Sequence, residues 1–227
     1  MNVILYGATG MVGQGTLREC LADPSIERVL VVGRSSIGTK APKLQELILK
    51  DFLDYSAVES QLAGYDACIF CLGISSVGMS ETDYARITVE MPLAAAKVLL
   101  RLNPSMRFVY VSGSHADSTE TSKTMWARVK GRAENSLFAL PFKSVHAFRP
   151  GMIQPLNGEM SKSLTTSAAA RFAAQVLLLL FPLARKIAPR RVTTTVELGR
   201  AMIHVARHGS PLTILEATDI SSVVTPE

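Results

Sequence analysis

The sequence is poor in cysteine and lacks any cluster of metal-binding residues. Two of its three cysteines, Cys68 and Cys71, form a CxxC motif inside an apolar run that is typical of a buried strand. Because residues three apart on a strand face opposite sides, these two thiols cannot share a metal ion, and no second CxxC or histidine pair completes a site. Three cysteines also cannot build a disulfide framework. We therefore expect no bound metal. Because no signal peptide precedes the first strand, we also expect a cytoplasmic location.

Membrane-spanning runs and basic stripes are also missing. The apolar segment Phe172–Ala188 is too short to span a bilayer, and Pro182, Arg185 and Lys186 interrupt it. We interpret it as a helix that covers an apolar surface of the fold or of a homodimer, with peripheral membrane contact as the alternative. The net charge of +5 does not gather with aromatic residues into a stripe, which argues against nucleic-acid binding.

What the first 150 residues do contain is a regular alternation of strand-like and helical segments. The predicted strands are Val3–Tyr6, Val29–Val32, Leu44–Leu49, Ala67–Leu72, Phe108–Val111 and Val145–Phe148. The predicted helices are Met11–Leu21, Ala57–Leu62, Ser80–Leu102 (with Pro92 tolerated as a kink) and Ser122–Leu140. Because parallel neighbours need a crossover connection, this alternation predicts an α/β, doubly wound parallel sheet of the NAD(P)-binding Rossmann type, in the order 3-2-1-4-5-6.

The pattern changes after residue 150. Two helices, Thr166–Phe181 and Val196–Arg207, and a strand, Leu212–Leu215, are predicted there. We expect a single domain over 1–227, with a dinucleotide-binding core at 1–150 and a small helical substrate lobe at 151–220, since ligands of such sheets lie outside the carboxyl ends of the strands. The tail Ser221–Glu227 has no apolar periodicity and is expected to be disordered.

A glycine-rich turn, Gly7-Ala8-Thr9-Gly10-Met11-Val12-Gly13, directly follows the first predicted strand and opens the first helix. Gly7 permits a tight turn, Gly10 lets a pyrophosphate approach the backbone, and Gly13 lets the helix pack close to the strand. The helix N-terminus then offers free N–H groups to the phosphates. GxxGxxG is a variant of the dinucleotide fingerprint, and the strand–turn–helix context supports it.

The residue after the second strand indicates which dinucleotide would bind. NAD-binding folds place an acidic residue there to hold the ribose 2′-hydroxyl, whereas this chain has Arg34. A guanidinium suits a 2′-phosphate, so the sequence predicts a preference for NADP(H) over NAD(H).

Several short motifs together resemble one family. The glycine turn, Gly33-Arg34-Ser35, Lys50-Asp51-Phe52, Cys71-Leu72-Gly73, Ser112-Gly113-Ser114 and Arg149-Pro150-Gly151 are similar to those of the atypical short-chain dehydrogenase/reductases, in the compact, epimerase-like and Tip30-like group. The resemblance covers essentially the whole chain. It implies that Asp51 and Phe52 contact the adenine and that Leu72 and Gly73 contact the ribose. It also implies that the nicotinamide is flanked by Pro150, Gly151 and Met152. It also includes Thr9, Met11, Val12, Cys71, Ser112 and Lys130 among the cofactor-binding residues. Asp51 has the alternative role of capping a turn, and the Pro-Gly pair that of ending a strand.

The family's catalytic set is a serine, a tyrosine and a lysine, with the last two spaced YxxxK on one helix. By this resemblance Ser112, Ser114 and Lys130 are the candidate catalytic residues, but Trp126 stands where the tyrosine belongs. An indole N–H cannot act as an acid or base near neutral pH. The family's usual asparagine is also replaced, by Thr88. His115 and Tyr84 are the candidate substitutes, with solvation and packing as their respective alternative roles.

Two functions remain open from the sequence. The first is an NADPH-dependent reductase or epimerase-like enzyme acting on a small carbonyl or sugar-derived substrate, with Met91, Met125, Met152 and Met160 available to line an apolar wall. The second is a catalytically impaired NADP(H)-sensing regulatory or interaction protein, which the loss of the tyrosine at Trp126 favours. Whether the protein is an enzyme is not settled by fold or sequence motif.

Overall fold

A seven-stranded parallel sheet forms the centre of the computed structural model, which describes residues 1–159, 181, 186 and 191–224. Its strands follow the spatial order β3-β2-β1-β4-β5-β6-β9. The bounds are β1 Asn2–Tyr6, β2 Arg28–Gly33, β3 Leu44–Ile48, β4 Ala67–Phe70, β5 Arg107–Val111, β6 Ser144–Arg149 and β9 Ile214–Glu216. The predicted Rossmann-type fold and the order of its first six strands are confirmed, and a seventh strand extends the sheet beside β6.

Helices cover both faces of this sheet. They are α1 Met11–Ala22, α2 Glu81–Ala85, α3 Met91–Leu102, α4 Met125–Phe138, α5 Thr195–His208 and α6 Ala217–Val224, with a 3₁₀ turn at Glu59–Leu62. Side chains of β1 alternate between two apolar cores, Ile4 and Tyr6 towards α3 and α4, and Val3 and Leu5 towards α1 and α5. Cys68 lies in the first core and Cys71 packs against the second, so the CxxC thiols face opposite sides as predicted.

The long helix predicted from Ser80 contains a π-helical turn, Arg86–Glu90, directly before Pro92. In an α-helix the Thr88 carbonyl would accept the N–H of residue 92, which proline lacks. The buried Tyr110 hydroxyl on β5 donates to that carbonyl instead, at 3.2 Å. The proline is therefore accommodated by a change of helical pitch and a donor from the neighbouring strand.

The chain after residue 150 does more than form a lobe. Met152–Gln154 (β7) pairs in parallel with Val192–Thr194 (β8) in a small second sheet. Helix α5, in contrast, packs into the second core, and β9 joins the main sheet. Helix α5 approaches α1 closely, since a Cβ on Gly15 would lie 2.8 Å from the Thr195 Cβ. Part of the segment predicted as substrate lobe thus belongs to the structural core.

The disorder expected from Ser221 onward is wrong for residues 221–224. Helix α6 continues to Val224, with Ile220 fully buried, and the Asp219 carboxylate accepts the Glu216 N–H at 2.9 Å. Apart from positions 181 and 186, the predicted helix Thr166–Phe181 and the apolar segment Phe172–Ala188 lie outside the described residues. Within the described part of the chain, no helix is long and apolar enough to cross a membrane.

Candidate functional site

Two glycines of the turn between β1 and α1 are required by the protein's own packing. Gly7 has a positive φ of 78°, and a Cβ there would lie 2.5 Å from the backbone nitrogen of Leu72, at the end of β4. A Cβ on Gly13 would lie 2.0 Å from the Gly7 carbonyl oxygen. Side chains at these positions would collide with backbone, so both glycines set how closely the turn approaches β4 and α1.

Two other glycines at the same end of the sheet have no such requirement. Gly10 has a φ of −84°, and a Cβ there would meet only the Gly7 oxygen, at 3.4 Å. A Cβ on Gly73 would meet no atom within 4 Å. Helix α1 begins directly after Gly10 with no side-chain cap and no acidic residue in its first turn. The uncapped N–H groups and the open glycines therefore leave a surface that fits a dinucleotide pyrophosphate.

Arg34 lies just beyond the carboxyl end of β2, with its side chain exposed. It makes no ion pair with any residue that the structure describes. The Lys50 ammonium donates to the Arg34 carbonyl oxygen at 2.8 Å, which brings a second cation to this edge. Sequence reasoning assigned no role to Lys50, although its place just after β3 is the signal that could have identified it. Two cations near each other suit a phosphate group.

Asp51 and Phe52 differ in whether their side chains are accessible to a ligand. The Asp51 carboxylate is exposed and accepts the Leu53 N–H at 2.9 Å, the turn-capping role considered from the sequence. The Phe52 ring is buried in the first core, 6.1 Å from the Tyr6 ring. The expected adenine contact of Phe52 could therefore come only from its backbone, because its side chain is part of the fold.

Ser112 follows β5 and carries a buried hydroxyl that has no hydrogen-bond partner among the described residues. Its backbone N–H donates to the Phe148 oxygen at 2.8 Å, which holds the residue between the ends of β5 and β6. Buried hydroxyl groups are nearly always partnered in folded proteins. An orphaned hydroxyl at the carboxyl end of a central strand thus points to a ligand that supplies the partner.

Lys130 on α4 lies over the same loop. Its Cε is 3.6 Å from the position that a Cβ on Gly113 would take, and its Nζ is 5.9 Å from the centre of the Tyr110 ring. The half-buried ammonium forms no ion pair within the described ranges. Burial lowers the pKa of Lys130 to about 8, an effect that the nearby Glu134 carboxylate partly opposes. The structure therefore brings together the predicted residues Ser112 and Lys130.

The candidate substitutes for the missing tyrosine are placed less favourably for proton transfer than Lys130 is. Tyr84 is buried, its hydroxyl is hydrogen-bonded to the Thr88 side chain, and burial raises its pKa. His115 is exposed in the loop after β5 and has a positive φ of 67°. Ser114 is fixed by its N–H, which donates to the Pro150 oxygen at 3.2 Å. Trp126 is partly exposed, one helical turn before Lys130.

Behind this loop lies a buried ion pair that sequence reasoning missed. The Arg149 guanidinium donates to both oxygens of Glu134, at 2.9 and 2.5 Å, and Glu134 is fully buried. Arg149 also donates to the Ser118 hydroxyl at 2.7 Å and to the Glu216 carboxylate at 3.1 Å. This bidentate pair joins α4 to β6 and so holds the helix that carries Lys130. The arginine of the Arg-Pro-Gly motif was its only sequence signal.

The residues expected to flank the nicotinamide continue this edge of the sheet. A Cβ on Gly151 would lie 2.7 Å from the Arg191 oxygen, so this glycine is required by the fold. Met152 is exposed after β6, and Ile74 and Val77 are exposed in the loop after β4. Carboxyl ends of parallel strands meet at one edge, so these apolar side chains lie on the same side of the sheet as Ser112.

Comparison with known proteins places this architecture in a family. The family described as the NAD dependent epimerase/dehydratase family matches residues 3–125, more than half of the chain. The chain belongs to this family. It is also similar to the protein fmp52, mitochondrial, of Aspergillus fumigatus, with 31% identity over 77% of this chain and 75% of that protein.

Two further similarities fit the predicted group and fold. Rattus norvegicus HTATIP2, also called Tip30, is 24% identical over 67% of this chain and 62% of its own length, in agreement with the atypical, Tip30-like resemblance. The crystal structure of Gre2 from Candida albicans in complex with NADPH superposes with a TM-score of 0.69 at 12% identity, covering 95% of this chain and 77% of that one. That likeness shows the fold alone.

Proposed function

We propose that the protein is an NADP(H)-dependent reductase of the epimerase/dehydratase family that acts on a small apolar carbonyl compound. The observation that carries this proposal is that the buried Ser112 hydroxyl and the Lys130 ammonium, at one end of the sheet, both lack a polar partner among the described residues. Both groups adjoin the edge where the glycine turn opens. Unsatisfied polar groups in a buried setting are costly, so their presence favours a bound ligand.

The residues present fit a phosphorylated dinucleotide. The open backbone at Gly10 and the uncapped start of α1 would hold the pyrophosphate, and Arg34 with Lys50 would hold a 2′-phosphate. The exposed carboxylate of Asp51 would face the adenine. The lysine of this family holds ribose hydroxyls, and the Lys130 ammonium, which makes no ion pair with a described residue, would do so here.

When bound, the cofactor would supply a hydride to a substrate carbonyl carbon. The Ser112 hydroxyl would donate a hydrogen bond to the carbonyl oxygen and stabilise the negative charge that develops there. The exposed side chains of Ile74, Val77 and Met152 would contact an apolar substituent and exclude water. An apolar ketone or aldehyde suits these side chains better than a polar sugar derivative does.

A second candidate is a non-catalytic NADP(H)-sensing protein, and Trp126 is the observation that favours it. The indole can donate a hydrogen bond but cannot transfer a proton near neutral pH. A protein that kept the dinucleotide surface and lost the tyrosine would bind the cofactor without turning it over. Cytoplasmic location and a homodimer remain predictions for both candidates.

Cofactor choice is tested by titrating the protein with NADPH and NADH and comparing Arg34→Gln with wild type. We expect Arg34→Gln to weaken NADPH binding about 10-fold or more, because at least one charge-assisted hydrogen bond to the 2′-phosphate is lost. NADH has no 2′-phosphate, so its binding should be unchanged. Lys40→Gln removes an exposed cation from the same connection between β2 and β3 and should change neither affinity. Equal loss for both cofactors in Arg34→Gln would contradict the 2′-phosphate role.

Turnover separates the two candidate functions. NADPH oxidation is followed at 340 nm with a panel of quinones, aldehydes and ketones, for wild type and for Trp126→Tyr. Reduction of an apolar carbonyl by the wild-type protein supports the reductase. Tight NADPH binding without turnover, together with a gain of activity in Trp126→Tyr, would instead identify a cofactor-sensing relative.

A further inference from the structure

Reduction of a carbonyl needs a proton for the developing alkoxide, and this chain has no tyrosine at the position where its family carries the acid. A positioned general acid contributes about 100- to 10,000-fold to such a step. A reductase that retained useful rates would therefore need another donor at the same end of the sheet. The inference below rests on the proposed reductase function and concerns the source of that proton.

Three of the candidates on the described residues are excluded by their own contacts. Tyr110 donates to the Thr88 carbonyl, and burial raises its pKa. Tyr84 is buried against Thr88, with a raised pKa as well. Both hydroxyls thus serve the π-helical turn. Trp126 has no exchangeable proton of the required acidity.

We propose that Lys130 is the proton donor of this site, acting on the carbonyl oxygen through the Ser112 hydroxyl. Lys130 lies over the Ser112–Ser114 loop, with its Cε 3.6 Å from the position of a Cβ on Gly113. The hydroxyl of Ser112, in the same loop, has neither a donor nor an acceptor among the described residues. Both groups of a two-step relay are therefore uncommitted within the described residues, and Gly113, which Lys130 overlies, is the chain neighbour of Ser112.

The surroundings of Lys130 keep its ammonium close to its deprotonation point. Burial lowers its pKa to about 8. The Glu134 carboxylate raises this pKa again only in part, and both of its oxygens are bound by Arg149. The other ionisable groups around the loop are committed elsewhere or exposed: Arg128 pairs with Glu81, Asp117 caps a turn at residues 119–122, and His115 faces solvent. A family lysine that normally stays charged thereby becomes able to give up a proton.

The step balances without a further reactant. The carbonyl carbon accepts the hydride of NADPH, the electron pair of the C=O double bond moves to oxygen, and that oxygen takes the Ser112 proton. Ser112 in turn takes a proton from Nζ of Lys130. The products are an alcohol, NADP⁺ and a neutral lysine, which water reprotonates.

The first test reads Lys130 in the free protein and needs no turnover. Competitive acetylation with acetic anhydride across pH, followed by mass spectrometry of the peptides, gives the titration midpoint of each lysine. We expect the Lys130 midpoint near pH 8, below the value of about 10.4 for a lysine in a model peptide. A Lys130 midpoint above pH 10 would overturn the proposal.

The second test is the pH profile of kcat at saturating NADPH with the best carbonyl of the panel. Because the ammonium must be protonated to donate, wild-type kcat should fall as pH rises through about 8. Lys130→Arg keeps the charge but cannot donate near that pH. We expect it to lose about 100-fold or more in kcat and to lose the fall at pH 8, with NADPH affinity changed less than about 3-fold.

His115→Asn is the matched comparison, since asparagine tolerates the left-handed backbone at this position. It should keep the fall in kcat near pH 8. A fall that persists in Lys130→Arg, or that disappears in His115→Asn, overturns the Lys130 role while leaving the reductase function intact. Tight NADPH binding with no turnover overturns the reductase function and the donor role together.

Discussion

Helix α4 carries two charged residues, one turn apart, that the fold treats in opposite ways. Glu134 is fully buried and both of its carboxylate oxygens are bound by Arg149, which forms the framework behind the site. Lys130, on the same face of the helix, lies over the Ser112–Ser114 loop and has no ion-pair partner in the described ranges. We call the first region the framework and the second, Lys130 with Ser112, the lining.

The difference shows which polar groups the fold needs and which are kept for a ligand. A buried charge is retained only where it is paired and hydrogen-bonded, as in the framework. The lining differs: among the described residues, the half-buried Lys130 ammonium has no ion-pair partner and the buried Ser112 hydroxyl has no hydrogen-bond partner. The glycine turn divides in the same way, since Gly13 is required by packing and Gly10 is not. Mutations in the framework should therefore cost stability, and mutations in the lining should cost binding or rate.

The largest effect on stability is expected from Arg149→Met. It leaves the buried Glu134 carboxylate without its partner, and breaking a buried pair costs about 3–5 kcal/mol of unfolding free energy. Arg101→Met is the control, because its pair with Glu59 is exposed and such pairs contribute about 0–1 kcal/mol. Urea denaturation of both variants measures the difference. Equal losses would show that the Glu134–Arg149 pair is not the framework that holds α4.

The next effect separates two glycines of one turn. Gly13→Ala places a Cβ 2.0 Å from the Gly7 oxygen, and we expect it to lower the unfolding free energy by about 1–3 kcal/mol or more. Gly10→Ala has room for its Cβ and an ordinary φ, so it should unfold like wild type yet bind NADPH about 10-fold more weakly. Denaturation and NADPH titration give the two readouts. Unchanged NADPH affinity in Gly10→Ala would argue against a pyrophosphate at this turn.

Lys130→Met should stabilise the protein at neutral pH. The pKa of Lys130 is about 8 in the folded protein and about 10.4 in the unfolded chain, so folding disfavours the charged form below pH 8. That cost is fully present below pH 8 and disappears as pH rises through about 10.4. With solvent screening of a half-buried group, we expect a rise in Tm of about 2–4 °C at pH 7, the size of a change of about 1 kcal/mol. The gain should shrink at pH 10, and a destabilised variant at pH 7 would instead assign Lys130 to the framework.

The smallest effect on stability is expected from Ser112→Ala. Its hydroxyl is buried without a partner among the described residues, so removing it should leave the unfolding free energy within about 0.5 kcal/mol of wild type, or raise it slightly. The same change should lower kcat/KM for a carbonyl substrate, because the oxygen loses its donor. A marked loss of stability, measured by thermal denaturation, would reveal a structural role for this hydroxyl.

Much of the fold could be predicted from the sequence because its signals are local. The first six strands and their order, the glycine turn after β1 and helix α5 all follow from apolar periodicity and backbone sterics within short windows. The positions of Ser112 and Lys130 near each other followed from the family resemblance. Helix α6 was missed because its buried face consists of only Ala217, Ile220 and Val223, a run of two turns that is too short to show clear periodicity.

Other features depend on residues far apart in the chain. No local pattern distinguishes the buried ring of Phe52 from an adenine-stacking one, since its burial depends on Tyr6 across the sheet. The cation that Lys50 adds beside Arg34 depends on the pairing of β2 with β3. These are tertiary contacts, and spacing along the sequence carries little information about them.

The sequence by itself determined the class of fold, the dinucleotide turn and the replacement of the family tyrosine by Trp126, because each is a matter of residue type at a local position. Only the tertiary structure decided that Arg149 occupies both oxygens of Glu134, and that Ser112 and Lys130 have no polar partner among the described residues. The physical reason is that burial and pairing are set by packing between elements, and they decide which charges are neutralised and which are available for chemistry.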